Sequence, residues 1–240
     1  MPHTLFISDL HLSPEHPRTT QAFLDFLADR APAGEALYIL GDLFEYWAGD
    51  DDLSDPHHAR VAQALAALAG TTAVFLMRGN RDLLLGEGFA RAASARLLPD
   101  PVLIDLYGTP TLLTHGDALC IDDAAYLAFR AKVTDPRWQA EFLSQPLALR
   151  KAQIERLRRE SEQEKQAKSE ALMDVNSEAV AALLREYDYP RLIHGHTHRP
   201  ARHLHRLDGH VCERWVLDSW YDEGGFLHCE RSGCDRRPLP

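Results

Sequence analysis

Asp9-x-His11, Gly41-Asp42, Gly79-Asn80, His115 and Gly195-His196-Thr197-His198 supply seven side chains able to donate to a divalent cation. Two ions about 3.5–4 Å apart need one carboxylate shared by both and a mixture of oxygen and imidazole donors on either side. The set has two carboxylates, one amide oxygen and four imidazoles. A pair of ions held in this way can activate a water to hydrolyse a phosphate ester or anhydride. With no thiolate among the donors, Mn²⁺, Fe²⁺ or Zn²⁺ suits the site better than Ca²⁺ or Mg²⁺, and Mn²⁺ is the first choice. Each fragment alone is a common turn or a packed histidine; five in this order, each just beyond an apolar run, point to a site.

The elements that must position these donors follow from the apolar pattern. Residues 4–8, 36–40 and 73–77 are short β-rich runs, separated by helical segments over 19–30 and 57–69, a βαβαβ rhythm. Each run delivers a polar cluster beyond its carboxyl end, where open α/β sheets bind ligands. Two further strands over 102–115 flank the turn Tyr107-Gly108-Thr109-Pro110 and deliver His115 and Asp117. From 122 to 187 the β-branched runs give way to charged helices, notably over 147–174. Strands return at 191–194, 203–207, 211–217 and 226–229, and the tail after Gly233 is expected to be loose. The expected organisation is an α/β core over 1–121 and 188–240 with a helical insertion over 122–187. The insertion carries apolar surface (Tyr126, Phe129, Trp138, Phe142) and a basic stretch, Arg150, Lys151, Arg156, Arg158 and Arg159, that could meet lipid headgroups or substrate phosphates.

Composition narrows the function classes. The 240 residues are 45% hydrophobic and 26% charged, enough for one large core, and carry a formal net charge of -10. That balance argues against general affinity for nucleic acid or anionic lipid; an anionic substrate needs bound cations or clustered arginines. Cys120, Cys212, Cys229 and Cys234 form no CxxC pair and are expected to be reduced. The N-terminus lacks the form of a signal peptide, and no uncharged stretch approaches the roughly 20 residues of a membrane span. The expected location is cytoplasmic, with peripheral membrane contact open.

The succession D-x-H…G-D…G-N…H…G-H-x-H resembles the calcineurin-like metallophosphoesterases over residues 5–198. The resemblance implies a β-sandwich flanked by helices. It also implies that Asp9, His11, Asp42 and His198 hold one ion and Asp42, Asn80, His115 and His196 the other, with Asp42 bridging and Asp117 behind the ligands. Many members read G-N-H-[DE] at the third motif, where the histidine protonates the leaving alcohol; this chain reads Gly79-Asn80-Arg81-Asp82. Arginine cannot serve as that acid, but its fork can neutralise phosphate oxygens. The substitution suits a leaving group that needs no proton, such as a phosphate with a relevant pKa of about 6, whereas an alkoxide needs an acid.

The longer stretches 41–51, 115–123 and 173–176 are similar to those of the bacterial members that cleave UDP-2,3-diacylglucosamine. That likeness implies release of UMP and 2,3-diacylglucosamine 1-phosphate in lipid A synthesis, at the inner face of the cytoplasmic membrane, with the insertion covering the acyl chains. By the same likeness Asn80, Arg81, Asp123, Ser161, Lys165, Lys168 and His196 contact substrate; at Lys165 the group often has a different polar residue. The alternatives are a phosphodiesterase or nucleotide phosphatase of the same superfamily and, in another class, a non-catalytic metal-binding module.

Overall fold

The computed structural model describes residues 2–167, 174–221 and 224–239, with side chains described outside 160–167. The runs expected as strands form β1 (Thr4–Ile7), β2 (Ala36–Leu40) and β3 (Ala73–Met77), parallel neighbours joined through α1 (Pro17–Asp29) and α2 (Pro56–Leu68). Their side chains alternate. Leu5, Ile7, Leu37, Ile39, Val74 and Leu76 pack towards the helices, whereas Phe6, Leu40 and Met77 belong to a second core. Both faces are covered, so these strands read as continuous apolar runs, and a one-residue slip would exchange the two cores. Asp55 starts α2, its carboxylate accepting from the His57 N–H, with a proline in the first turn.

A six-residue helix, α3 (Glu87–Ala92), and a two-residue strand, β4 (Arg96–Leu97), follow β3. Neither is long enough to impose a period on the sequence. The second sheet consists of β5 (Val102–Leu106), β6 (Thr109–Leu113), β7 (Arg191–His194), β8 (Ala201–Leu207) and β9 (His210–Val216), in the order β5-β6-β7-β9-β8. Leu106, Leu113, Ile193 and Leu217 from this side meet Phe6, Leu40 and Met77 between the sheets. The chain closes with β10 (Gly225–Glu230) antiparallel to β1 and β11 (Gly233–Pro238) antiparallel to β10, giving the first sheet the order β11-β10-β1-β2-β3-β4.

Two expectations are corrected here. The tail after Gly233 is not loose; it is the edge strand β11. Cys229 and Cys234 are not both reduced thiols: they face one another in the β10–β11 register, with Cα atoms 4.1 Å apart, and form a disulfide, while Cys120 and Cys212 are free and buried. The pairing depends on a hairpin whose second strand the sequence does not announce.

Between β6 and β7 lie α4 (Ala124–Val133), α5 (Pro136–Leu143), α6 (Leu147–Ala167) and α7 (Ser177–Glu186). Asp123, Asp135 and Asn176 cap α4, α5 and α7 through side-chain oxygens. Val180 and Leu184 of α7 pack against Leu112 and Leu192 on the outer face of the second sheet. Trp138 and Phe142 of α5 and Ile154 of α6 pack against the first core. No helix among the described residues is long and apolar enough to cross a membrane.

Candidate metal centre and active site

The polar clusters beyond β1, β2, β3, β6 and β7 converge on one point. Asp9 is fully buried; its Oδ2 accepts from Ser8 Oγ at 2.6 Å and from the His196 N–H at 2.9 Å. Its Oδ1 has no hydrogen-bond partner and lies 3.4 Å from His198 Nε2 and 4.0 Å from His11 Nε2. The two imidazole nitrogens are themselves 3.3 Å apart. On the other side, His115 Nδ1 donates to the Leu40 carbonyl at 2.9 Å, leaving Nε2 turned to Asn80 Oδ1 at 3.0 Å. His196 Nδ1 approaches the same amide oxygen at 2.9 Å. Between the halves lies Asp42, whose Oδ2 is 3.8 Å from His11 Nε2 and 3.7 Å from His115 Nε2 while its Oδ1 accepts from the Arg81 N–H at 2.8 Å. Thus all seven expected donors come together.

Local backbone geometry explains how they converge. Asp9, His11, Asp42, His196 and His198 all have φ between 50° and 70°, a region that non-glycine residues seldom occupy and that concentrates at functional sites. The Asp9 N–H donates to Gly41 O and the His11 N–H to Asp42 O, lacing the first two loops together. Glycine is required at 79 and 195 for space: a Cβ on Gly79 would strike the Asp42 carboxylate and backbone, and one on Gly195 would strike Asp9 and Ser8. Asp82, buried and absent from the expected set, ties the loops after β2 and β3 by accepting from Gly79 N and Leu43 N, each at 2.8 Å.

The donors carry the electrostatic mark of a cation site. Burial would lower the His115 imidazole, yet Asp42, Asp9 and Asp117 push its pKa up to about 10. Burial and the neighbouring His115 push His196 down to about 3. Burial alone would raise the Asp9 carboxyl, but His198, His115 and His11 outweigh it and hold it below the ordinary carboxylate range. An orphaned carboxylate oxygen facing two convergent ring nitrogens, within a mixed carboxylate, amide and imidazole set, fits divalent metal ions. Asp9, His11 and His198, and likewise Asp9, Asp42 and His115, each bring ligand atoms within 4.8 Å of one another.

A cavity of about 1060 Å³ opens over this centre, lined by His11, Asp42, Asn80, His196, His198 and Arg81 on one side and by Tyr126, Phe129, Trp138 and Phe142 on its helical wall. Asp123 lines it while capping α4. Asp117 accepts from Tyr126 Oη at 2.6 Å and Arg130 Nε at 2.7 Å, fastening α4 to the loop that carries His115. Ser161 and Lys165 fall on α6, where only the backbone is described, and Lys168 lies outside the described residues. The basic stretch divides between buried, cavity-lining and exposed positions, Arg158 lining the cavity and Arg156 exposed. Arg150 is buried and donates to Ala48 O and Asp51, Lys151 pairs with Asp52, and Arg158 reaches Glu45; Arg159 stays exposed. Arg150, Lys151 and Arg158 thereby each reach the acidic segment 45–55, some hundred residues earlier in the chain. Glu45 is itself buried beside His11, with Tyr221 above it. Glu45 falls within the stretch 41–51 that carries the family likeness, but the partners that define it come from segments distant in the chain.

The sequence pattern of the calcineurin-like phosphoesterases matches residues 2–200. A UDP-2,3-diacylglucosamine hydrolase of Aromatoleum aromaticum is 57% identical over 230 residues, covering 95% of this chain and 94% of that one. One from Xanthomonas campestris pv. campestris is 53% identical over 238 residues, covering 96% of each. Among solved structures, a dimetal phosphatase from Danio rerio aligns over 100% of this chain and 99% of that one at TM-score 0.53 and 10% identity. A novel archaeal phosphodiesterase aligns over 99% of each chain at TM-score 0.50 and 11% identity. At such identities these two share the fold alone.

Proposed function

This chain belongs to the calcineurin-like phosphoesterase family, and on that premise we propose that it hydrolyses the pyrophosphate bond of UDP-2,3-diacylglucosamine to UMP and 2,3-diacylglucosamine 1-phosphate. The observation that carries this reading is the third motif: Arg81, not a histidine acid, stands beside the donors and lines the cavity, and a phosphate leaving group requires no protein proton. Hydrolases of that name at 57% and 53% identity over nearly the whole chain support it.

In this reading Asp9, His11, Asp42 and His198 would hold one ion and Asn80, His115 and His196, again with Asp42, would hold the other. When bound, the pair, Mn²⁺ first among candidates, supplies Lewis acidity that lowers the pKa of water and offsets phosphate charge. The Arg81 guanidinium neutralises non-bridging oxygens as charge grows on them. Asp117 and Arg130 keep Tyr126 on the cavity wall. The apolar wall from 122–187 covers the acyl chains, and Asp123, Ser161, Lys165 and Lys168 contact the rest of the substrate. Peripheral contact with the inner membrane, on its cytoplasmic face, gives access to such a lipid.

The test is UMP release from UDP-2,3-diacylglucosamine by purified protein with Mn²⁺, against metal-stripped protein and a deacylated UDP-sugar. Rapid metal-dependent cleavage of the acylated substrate is expected, with turnover abolished in His11→Ala and Asp42→Ala. Failure on the acylated substrate beside strong cleavage of bis-p-nitrophenyl phosphate would replace this reading by a general phosphodiesterase.

A further inference from the structure

Glu45 lies three residues beyond Asp42, 4% exposed, on a loop held against the one after β1 by the Leu12–Phe44 bridge and the Glu45 N–H donating to Leu12 O. Its two carboxylate oxygens meet groups from four separate segments. Oε2 lies 3.0 Å from His11 Nδ1 and accepts from Tyr221 Oη. Oε1 accepts from Arg158 of α6 at 2.8 Å and lies 3.5 Å from the Arg81 guanidinium. The His11 contact is close but angled away from an ideal hydrogen bond, Nδ1 having no other partner, so proximity of charge rather than a straight N–H···O line holds the ring. Tyr221 constrains the same ring from above, stacked at 4.7 Å and 19°.

We propose that Glu45 is a positioning residue that sets the His11 ring and the Arg81 guanidinium together and makes both depend on the docking of α6 through Arg158. A carboxylate on Nδ1 keeps the proton on that nitrogen and leaves the Nε2 lone pair facing Asp9, Asp42 and His198. The other oxygen holds Arg81 at the cavity floor, and Arg158 brings the helical wall to the same anchor. Helix and metal centre thus share one carboxylate, so closing the wall over a substrate and ordering the groups below it are a single event. The inference rests on the reading of His11 as a ligand and of Arg81 as phosphate-binding.

The experiment uses the full chain, stripped of metal and titrated with Mn²⁺ by electron paramagnetic resonance, in parallel with kcat and KM. Glu45→Gln is expected to weaken binding of one Mn²⁺ by about 10–100-fold, the usual effect of removing a partner behind a ligand, and to leave the second within about threefold. Glu45→Asp, which keeps the charge one methylene short, is expected to fall between wild type and Glu45→Gln, and serves if the amide variant does not fold. Arg158→Met should lower kcat/KM in the wild-type background and have no further effect in Glu45→Gln. Wild-type affinity for both ions in Glu45→Gln and Glu45→Asp, or fully additive effects of Glu45→Gln and Arg158→Met, would overturn the proposal. The titration needs no substrate, so a protein inactive on the diacylglucosamine substrate that still loses Mn²⁺ on Glu45→Gln refutes the substrate and keeps the positioning role.

Discussion

Asp9, His11, Asp42, His196 and His198 each hold a left-handed backbone conformation, at a cost of order 1–3 kcal/mol for a non-glycine residue. Five such residues at one point persist only because the loops around them are over-determined: Asp9 Oδ2 takes both Ser8 Oγ and the His196 N–H, and Asp82 accepts from both the β2 and β3 loops. There is little slack, and Gly79 tests it. A methyl there would meet the Asp42 carboxylate and its backbone N–H, and backbone cannot swing aside as a side-chain tip can. Gly79→Ala is therefore expected to keep its far-ultraviolet circular dichroism while kcat falls by about 100-fold or more, since displacement of about 1 Å at a reacting centre has that effect. Near-wild-type turnover would show that Asp42 is not held as tightly as its neighbours suggest. The seven donors are legible in the sequence because metal ligation admits few residue types and the motifs keep chain order. Asp82 and Tyr221 are not, and Glu45 stands out only as one acid among several in its loop, because an acid or a tyrosine becomes meaningful only through what the fold sets beside it.

The strands β1, β2 and β3 and their crossover helices are legible for an elementary reason: both faces are buried, and nothing but a short apolar run can fill such a position. The β10–β11 hairpin fails the same test. Gly233–Pro238 is largely exposed and polar, and its pairing with Gly225–Glu230 is carried by backbone hydrogen bonds to which the sequence is nearly silent. Helix α6 is a different failure. Its composition reads as solvated or headgroup-facing, yet Arg150 is 2% exposed and donates to Ala48 O, Gln145 O and Asp51. The residues that neutralise this helix lie about a hundred positions earlier. Arg150→Met removes three bonds while leaving Asp51, whose side chain is 57% exposed, free to rehydrate. The cost is set by the lost bonds and the orphaned carbonyls, about 1–3 kcal/mol, and falls on the docking of α6. A lower urea midpoint with faster protease cleavage within 124–167 is expected; an unchanged midpoint would mean that Lys151 and Arg158 suffice to hold the helix.

The two sheets meet through an apolar layer in which Phe6, Leu40 and Met77 face Leu113, Ile193 and Leu217, and loops of both supply the donors of the metal centre. Asp9, His11, Asp42 and Asn80 come from loops of the first sheet, and His115, His196 and His198 from loops of the second, so each ion would bind residues of both. Ions bound there stabilise the whole sandwich by mass action, since the unfolded chain has no comparable site. At a free concentration of 100 Kd each adds about 2.7 kcal/mol. For a domain of this size 1 kcal/mol moves Tm by about 2–4 °C, so calorimetry of the metal-stripped chain should show a single transition that rises by about 5–10 °C for each ion restored. Charge leads to the same experiment: a chain of net charge -10 repels an anionic substrate until cations occupy the cavity floor. Stripped protein should therefore bind neither product nor substrate at concentrations where the Mn²⁺-loaded protein is saturated. A melting temperature indifferent to Mn²⁺ up to millimolar concentrations would mean that the seven donors do not hold a tightly bound pair across the sheets, and would return Asp9 and its neighbours to the status of a packed polar cluster.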